Sequence, residues 1–168
     1  MFLGRINDNL ASKLNTLLNN STMIKKLGKI YDTTDTNIVL SSNNIEHIYN
    51  HHGNEKNVGQ IDVTPESLSK YGEVISNPDY IGLSAQLSRG NTPTFYFTKK
   101  INGYSVAVEV LSTKKQLYPE SYYIFESDTK EYFDFIKNNK LKKAEDVESN
   151  DIMSNDINVQ GDTSCGFL

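Results

Sequence analysis

The chain has 168 residues, of which 37% are apolar, and a formal net charge of −4. That length suits one compact domain with polar tails. The acidic balance and the lack of any basic segment argue against non-specific binding to duplex DNA.

The sequence shows no sign of a membrane segment or of an oxidising compartment. A single cysteine, Cys165, excludes an intrachain disulfide. The apolar runs are too short to span a membrane, and the N-terminus lacks the long apolar run of a secretory signal. We therefore expect a cytoplasmic protein that does not bind membranes.

The first third of the chain predicts two helices and one short strand. Leucines at helical spacing indicate an amphipathic helix over residues 7–27. The segment NIVLSS, residues 37–42, is typical of a strand. Ser42 or Asn43 can cap the next helix, which Gly53 ends.

The rest of the chain predicts a helix, a sheet and a final helix. Thr64 followed by Pro65 is a strong helix start, and Pro78 closes that helix. From residue 80 onward the apolar residues alternate, and Asn102-Gly103 is a hairpin turn signal. The expected strands lie in YIGLSAQL, TFYFTKKI, YSVAVEVL and SYYIFE, and Ser127 is the expected cap of the last helix.

This order of elements predicts an α+β domain: N-terminal helices packed on a four-stranded antiparallel sheet with a closing helix. Residues 138–168 are charged and have little apolar periodicity, so we expect a disordered polar tail there. The chain then divides into an N-terminal helical extension at 1–37, a central domain at 38–137 and this tail.

All three histidines lie in the segment IEHIYNHHG, as His47, His51 and His52. Since the unperturbed histidine pKa lies near neutrality, acid/base catalysis, a metal site and a solvated helix end all remain open. Helical spacing puts His47 and His51 on one face. However, Ile48 occupies the glutamate position of the H-E-x-x-H zinc motif and no third ligand is evident, so we expect no metal.

Four further residues are candidates for a cleft on the sheet. Lys99 and Lys100 are neighbours on one strand, so their side chains point to opposite faces and at most one can line such a cleft. Ser121 follows a Pro-Glu pair at the start of a predicted strand, and Arg89 lies in a glycine-containing loop. Each of them, taken singly, also suits a solvated turn or strand end.

The order of these motifs resembles a known family. The motifs are HIYNHHG, a capped helix closed by NPDYI, a lysine-containing strand before an NG turn, a valine-rich strand, and LYPESYYI. Over about residues 38–137 they resemble the phage-associated Barnase-EndoU-ColicinE5/D-RelE-like (BECR) nuclease domains of phage polyvalent proteins, minor-head-protein C-termini and prophage toxins. The resemblance implies a ribonuclease fold that needs no metal or other cofactor, with its cleft on the sheet.

The resemblance also implies roles for individual residues. It provides two histidine positions, a strand cation and a hydroxyl position where threonine is common, whereas His51 stands where arginine is frequent. The expected catalytic residues are His47, His52, Lys99 (or Lys100) and Ser121, and the expected substrate-binding residues are His51, Lys100 and Arg89.

The chemistry implied is cleavage of RNA by its own 2′-hydroxyl, which leaves a 2′,3′-cyclic phosphate and needs a base, an acid and a cation. We expect an endoribonuclease of the phage or prophage toxin type that acts in the host cell, with transfer RNA as one candidate substrate and an immunity or antitoxin protein as a candidate partner. Delivery with a phage particle is one route into that cell. The alternatives are a catalytically inactive prophage module that binds a host protein, and a phage structural or packaging accessory.

Overall fold

The computed structural model describes residues 1–111 and 114–149, with the backbone alone for residues 105–110. The first half of the chain forms mainly short elements. They are β1 (Phe2–Arg5), α1 (Asp8–Asn19), α2 (Thr22–Lys26), β2 (Asn37–Val39), α3 (Ser42–His52), β3 (Gln60–Ile61), α4 (Pro65–Leu68) and α5 (Tyr71–Ser76).

The second half forms a meander of longer strands and a final helix. These elements are β4 (Tyr80–Leu83), β5 (Thr94–Lys100), β6 (Tyr104–Leu111), β7 (Gln116–Phe125), α6 (Lys130–Asn138) and β8 (Lys142–Lys143), followed by a 3₁₀ turn at Ala144–Asp146. Among the described residues, no helix is long and apolar enough to cross a membrane.

The α+β class is confirmed, and β4 to β7 form the predicted antiparallel meander. Asn102 and Gly103 both have positive φ in the hairpin between β5 and β6, as an NG turn requires. The prediction of a purely antiparallel four-stranded sheet is wrong, because β2 pairs in parallel with the start of β7. The strand order is β1-β2-β7-β6-β5-β4-β8, with β3 paired to the end of β7. The sheet is mixed because β7 begins at Gln116, earlier than expected, and its extra residues meet β2.

Hydroxyl side chains cap α3, α4 and α6, at positions at or close to the expected ones. Thr64 caps α4 as predicted, but the single helix expected to run to Pro78 is divided into α4 and α5. Ser41 caps α3 instead of Ser42 or Asn43, and Thr129 caps α6 instead of Ser127. Each cap accepts a hydrogen bond from the backbone N–H three residues later, which satisfies a donor that has no partner inside the helix.

The sheet is covered on both faces. Along β5, Phe97 belongs to the main core together with α1 and α5, whereas Tyr96 faces a second cluster beneath α6. The same alternation along β7 places Tyr122 in the main core and Tyr123 in the second cluster. The closing helix therefore packs on the face opposite to the N-terminal helices.

Both ends of the described chain are built into this core. Leu14 of α1 is fully buried in the main core, so residues 1–37 supply core packing to the central strands. The predicted disordered tail is wrong for its first part: Leu141 and Val147 are buried, and Lys142–Lys143 pairs with β4. Two apolar side chains are too few to produce a periodic pattern in the sequence. From residue 150 onward the predicted tail lies outside the described residues.

Candidate active site

The end of α3 sets the direction of His52. The helix runs through His52, and Gly53 caps it by donating its N–H to the Tyr49 carbonyl at 2.8 Å. A Cβ on Gly53 would lie 2.5 Å from that carbonyl oxygen, so glycine permits the close approach. The chain then turns back, and the Val63 N–H donates to the His52 carbonyl at 2.8 Å. These bonds fix the backbone of His52 on both sides.

His52 is hydrogen-bonded through both ring nitrogens. Its Nδ1 lies 2.6 Å from Oε2 of Glu55, and its Nε2 lies 3.1 Å from Oγ of Ser121. The ring of Tyr123 stacks on the imidazole with 5.1 Å between centroids. The side chains of His52 and Glu55 are 17% and 3% exposed. We call the three residues Glu55, His52 and Ser121 the relay.

The carboxyl of Glu55 is held in its charged form. Burial alone would raise its pKa, but the hydrogen bond from His52, the N–H groups of Asn57 and Lys56 and the positive charge that His52 can carry outweigh burial and lower it. Those two N–H groups lie 3.3 and 3.2 Å from Oε1. A carboxylate can only accept, so Nδ1 of His52 must carry a proton. In the neutral imidazole, Nε2 is then the unprotonated nitrogen, and it faces Ser121.

A β-bulge positions Ser121. Val108 pairs with Ser121 and Glu109 pairs with Pro119, so Glu120 is an additional residue on β7. Pro119 has no N–H to give to a ladder, which suits it to such an irregular site. A bulge can redirect a side chain toward a functional site. Ser121 therefore lies in the middle of β7, and the expectation that it begins a strand is wrong.

The other two histidines lie on the exposed side of α3. The rings of His47 and His51 are 4.3 Å apart, and those of His51 and His52 are 6.4 Å apart. His47 also lines an open cavity of about 530 Å³. The cavity brings His47 together with Arg89, from the loop after β4, and with Glu120 of the bulge; its other lining residues are Asn44, Ser88, Tyr118 and Pro119.

The structure does not bring Lys99 to the relay. Its ammonium donates to the Asn77 carbonyl at 2.9 Å and lies 3.9 Å from Asp79. Lys99 shares the main-core face of β5 with Phe97, whereas Ser121 lies on the other face of the sheet. The expected role of Lys99 as the strand cation therefore has no support from its position.

Lys100 lies on the same face as Ser121 but far along the sheet. It pairs with Tyr104, which pairs with Phe125, four residues beyond Ser121 on β7. Two strand spacings and four residues of rise separate the backbones of Lys100 and Ser121 by about 16 Å. Neither lysine can therefore serve as the cation beside His52.

In the described part of the chain, no group of three or more histidine, cysteine, aspartate or glutamate residues is placed to hold a metal ion. The carboxylate nearest to His52 is already bonded to its Nδ1. With Nδ1 bound to Glu55 and Nε2 facing Ser121, the relay can move a proton at Nε2, beside a serine hydroxyl.

Residues 16–132 match the family model described as phage-Barnase-EndoU-ColicinE5/D-RelE like nuclease3. The chain belongs to this family. The matched segment begins within α1, earlier than the expected start at residue 38, and it contains the relay, His47 and Arg89. The domain is thus a phage nuclease domain of the BECR type. No curated protein and no solved structure is similar enough to the chain to match it.

Sequence reasoning singled out His52 and Ser121 as candidates, but not Glu55, which the structure places beside them. The only local signal is a carboxylate three residues after a histidine. That spacing brings two side chains together on a helix, but Gly53 ends the helix before Glu55. The side chain meets His52 only because the following loop turns back on itself, with the Glu55 N–H donating to Asp62 at 2.6 Å.

Proposed function

We propose that this protein is a metal-independent endoribonuclease that cleaves RNA through attack of the 2′-hydroxyl. The observation that supports it most directly is the relay: an imidazole hydrogen-bonded to a buried carboxylate on one side and to a serine on the other. Such an imidazole has a fixed tautomer and a fixed orientation, as a general base or acid requires. Membership of a nuclease family supports the cleavage of nucleic acid.

In the proposed reaction, Nε2 of His52 takes the proton of the 2′-hydroxyl as the 2′-oxygen attacks phosphorus. The bond from phosphorus to the 5′-oxygen breaks, and that oxygen takes a proton from His47. The products are a 2′,3′-cyclic phosphate and a 5′-hydroxyl. Ser121 donates its hydroxyl to a phosphoryl oxygen, and Glu55 stabilises the imidazolium formed on His52.

Arg89 is the proposed cation for the charge on the phosphoryl oxygens. It lines the same cavity as His47, beside the bulge that leads to Ser121. Its planar guanidinium can donate two parallel hydrogen bonds to a phosphate. Arg89 thus takes the role that the resemblance gave to Lys99 or Lys100.

The biological setting belongs to the same proposal. A prophage or phage toxin that cuts cellular RNA, transfer RNA among the candidates, requires an immunity or antitoxin protein in the cell that makes it. The rival function is an inactive module that binds a host protein. The net charge of −4 and the distance of both strand lysines from the relay favour this rival.

The test is incubation of the full chain with total RNA in EDTA, followed by analysis of the new ends. We expect 2′,3′-cyclic phosphates, and losses of about 100- to 10,000-fold for His52→Ala and His47→Ala. Lys99→Gln, which lies on the other face of the sheet, should keep the parent rate. Circular dichroism at the assay temperature must show each variant folded, because His52→Ala removes the histidine that bonds Oε2 of the buried Glu55 carboxylate.

Three results would refute the assignment. Cleavage by both histidine variants at the parent rate would remove them from the mechanism. Cleavage that stops in EDTA would show a metal-dependent reaction. RNA left intact by the parent, together with harmless expression in a host without an immunity partner, would favour the inactive binding module.

A further inference from the structure

A second polar cavity, of about 540 Å³, lies away from the relay at the Lys100 end of the sheet. Residues from four separate parts of the chain form it: α1, the end of α5, the strands β4 to β6, and the segment after α6. The lining residues that matter here are Lys13, Lys100, Lys143, Tyr80 and Tyr104. We call this cavity the lysine cavity.

The three lysines of the lysine cavity are available to an anion. None of them lies within 4 Å of a carboxylate of the described residues, and the ammonium of Lys13 donates only to the Ala144 carbonyl, at 2.6 Å. A carbonyl leaves the positive charge uncompensated. The ammonium of Lys100 lies 5.5 Å from the ring centre of Tyr104. Lys143 is exposed on β8.

Two carboxylates also line the lysine cavity, but they do not cancel its charge. The carboxylate of Asp79 is already bound by two other groups. It lies 3.9 Å from the Lys99 ammonium, and it accepts a hydrogen bond of 2.8 Å from the backbone N–H of Lys100. Glu145 is the second carboxylate. The lining keeps one positive charge more than negative ones, in a chain whose net charge is −4.

Tyr104, on the aromatic side of the lysine cavity, is held in place by its neighbours. The ring of Tyr104 stacks on Tyr132 at 3.7 Å with 12° between planes, and its hydroxyl donates to Asp128 at 3.3 Å. Tyr132 is itself fixed by a buried hydrogen bond of 2.9 Å to Thr98. A ring held in this way loses little freedom when a flat ligand stacks beside it.

We propose that the lysine cavity binds a nucleotide unit. Lys100 and Lys143 contact its phosphate, and its base packs against Tyr80 and Tyr104. Lysines around a phosphate beside an aromatic ring are the combination that single-stranded nucleic acids use. The ligand is either a free nucleotide or one unit of an RNA strand, since both present the same chemistry. The backbones of Lys100 and Ser121 are separated by about 16 Å, so the lysine cavity is a separate site and does not depend on the proposed cleavage.

The test measures equilibrium binding by the full chain to three probes: adenosine monophosphate, inorganic phosphate, and an eight-nucleotide single strand with 2′-O-methyl groups. The last probe has no 2′-hydroxyl and cannot be cut by the proposed reaction, so the result is independent of nuclease activity. The variant is Lys100→Gln with Lys143→Gln, both exposed positions. Lys25→Gln, an exposed lysine on α2 outside the cavity, is the control for charge alone.

We expect the double variant to weaken nucleotide binding at least about tenfold, or 1.4 kcal/mol, and Lys25→Gln to change it less than twofold. For the oligonucleotide, the slope of log affinity against log salt should fall by about 0.7, because both lysines contact the same phosphate. Tight binding of the monophosphate identifies a free nucleotide as the ligand, and binding of the oligonucleotide alone identifies an RNA strand.

Three outcomes would overturn the proposal. The parent could bind both nucleotide probes with dissociation constants above about 1 mM, which corresponds to a binding free energy weaker than about 4.1 kcal/mol. The double variant could bind as tightly as the parent, or no more weakly than the Lys25→Gln control. Inorganic phosphate could bind as tightly as the nucleotide probe that binds best, which would exclude a contact with the base.

Discussion

Replacing Glu55 by glutamine tests whether the relay orients His52. The substitution keeps the shape of the side chain and removes its charge, at a site that is 3% exposed. The main loss is the charge-assisted hydrogen bond of 2.6 Å from His52, and such bonds contribute about 1.5–3 kcal/mol. We therefore expect a loss of about 2 kcal/mol in the free energy of unfolding at pH 7. If the proposed reaction holds, cleavage should fall on the order of 100-fold, because the tautomer of His52 is no longer fixed.

The difference between the parent and Glu55→Gln should depend on pH in a defined direction. The pKa of the Glu55 carboxyl is lowered in the folded protein from its ordinary value of 4.5. The unfolded state therefore takes up a proton first as the pH falls. The stabilisation is fully present above that ordinary value and is lost as the pH falls through the lower folded value. Glu55→Gln lacks this contribution at every pH, so the two proteins should approach equal stability below pH 4.5.

Urea unfolding at pH 7, 5 and 3 measures this difference for the parent, Glu55→Gln and Glu46→Gln. Glu46 lies on the exposed part of the same helix, and its substitution removes the same charge. It should change the free energy of unfolding by no more than about 0.5 kcal/mol. An equal loss at all three pH values would show that the Glu55 carboxylate carries no special stabilisation. Full cleavage by a stably folded Glu55→Gln would show that His52 needs no orienting carboxylate.

Two further predictions concern stability. Leu141→Ala should lower the free energy of unfolding by about 2–5 kcal/mol, and with it the melting temperature, because Leu141 is 7% exposed and packs over Gly82. Lys142→Ala, at the exposed neighbouring position, is the control. Equal melting temperatures for the two variants would mean that the segment after α6 does not support the core. Gly53→Ala should lower the melting temperature and weaken cleavage together, because a Cβ there would lie 2.5 Å from the Tyr49 carbonyl oxygen; a variant with the parent melting temperature would show that the end of α3 adapts without cost.

Local chemistry explains why most elements were predictable. The Asn102-Gly103 turn and the Thr64 cap depend on residues within a few positions of one another, and both are where the sequence placed them. The parallel pairing of β2 with the start of β7 depends on residues almost 80 positions apart, such as Ile38 with Leu117. The short β2 and the early residues of β7 carry no local sign of that partner, so a mixed sheet could not be predicted from periodicity.

The residues of the candidate site also differ in whether neighbouring or distant parts of the sequence bring them together. His47 and His52 were visible as a histidine cluster on one predicted helix, which is local information. Glu55 reaches His52 through a loop, and Arg89 reaches the cavity of His47 from the other side of the meander. Side chains alternate along a strand, so the sequence alone showed that Lys99 and Lys100 cannot both face one cleft. Only the register of the sheet shows that neither lysine is close to Ser121.

The end of α3 at Gly53 gives the histidines two different environments. Because the helix continues through His52, that ring turns toward β7 and is fixed by Ser121, while His47 and His51 stay on the exposed side. Helical spacing alone would have paired His47 with His51, as a metal site requires. In the proposed reaction, a phosphate between His52 and the cavity of His47 must lie over the β7 bulge. The additional residue in β7 would then have a chemical purpose, since it turns Ser121 toward the phosphate that both histidines flank.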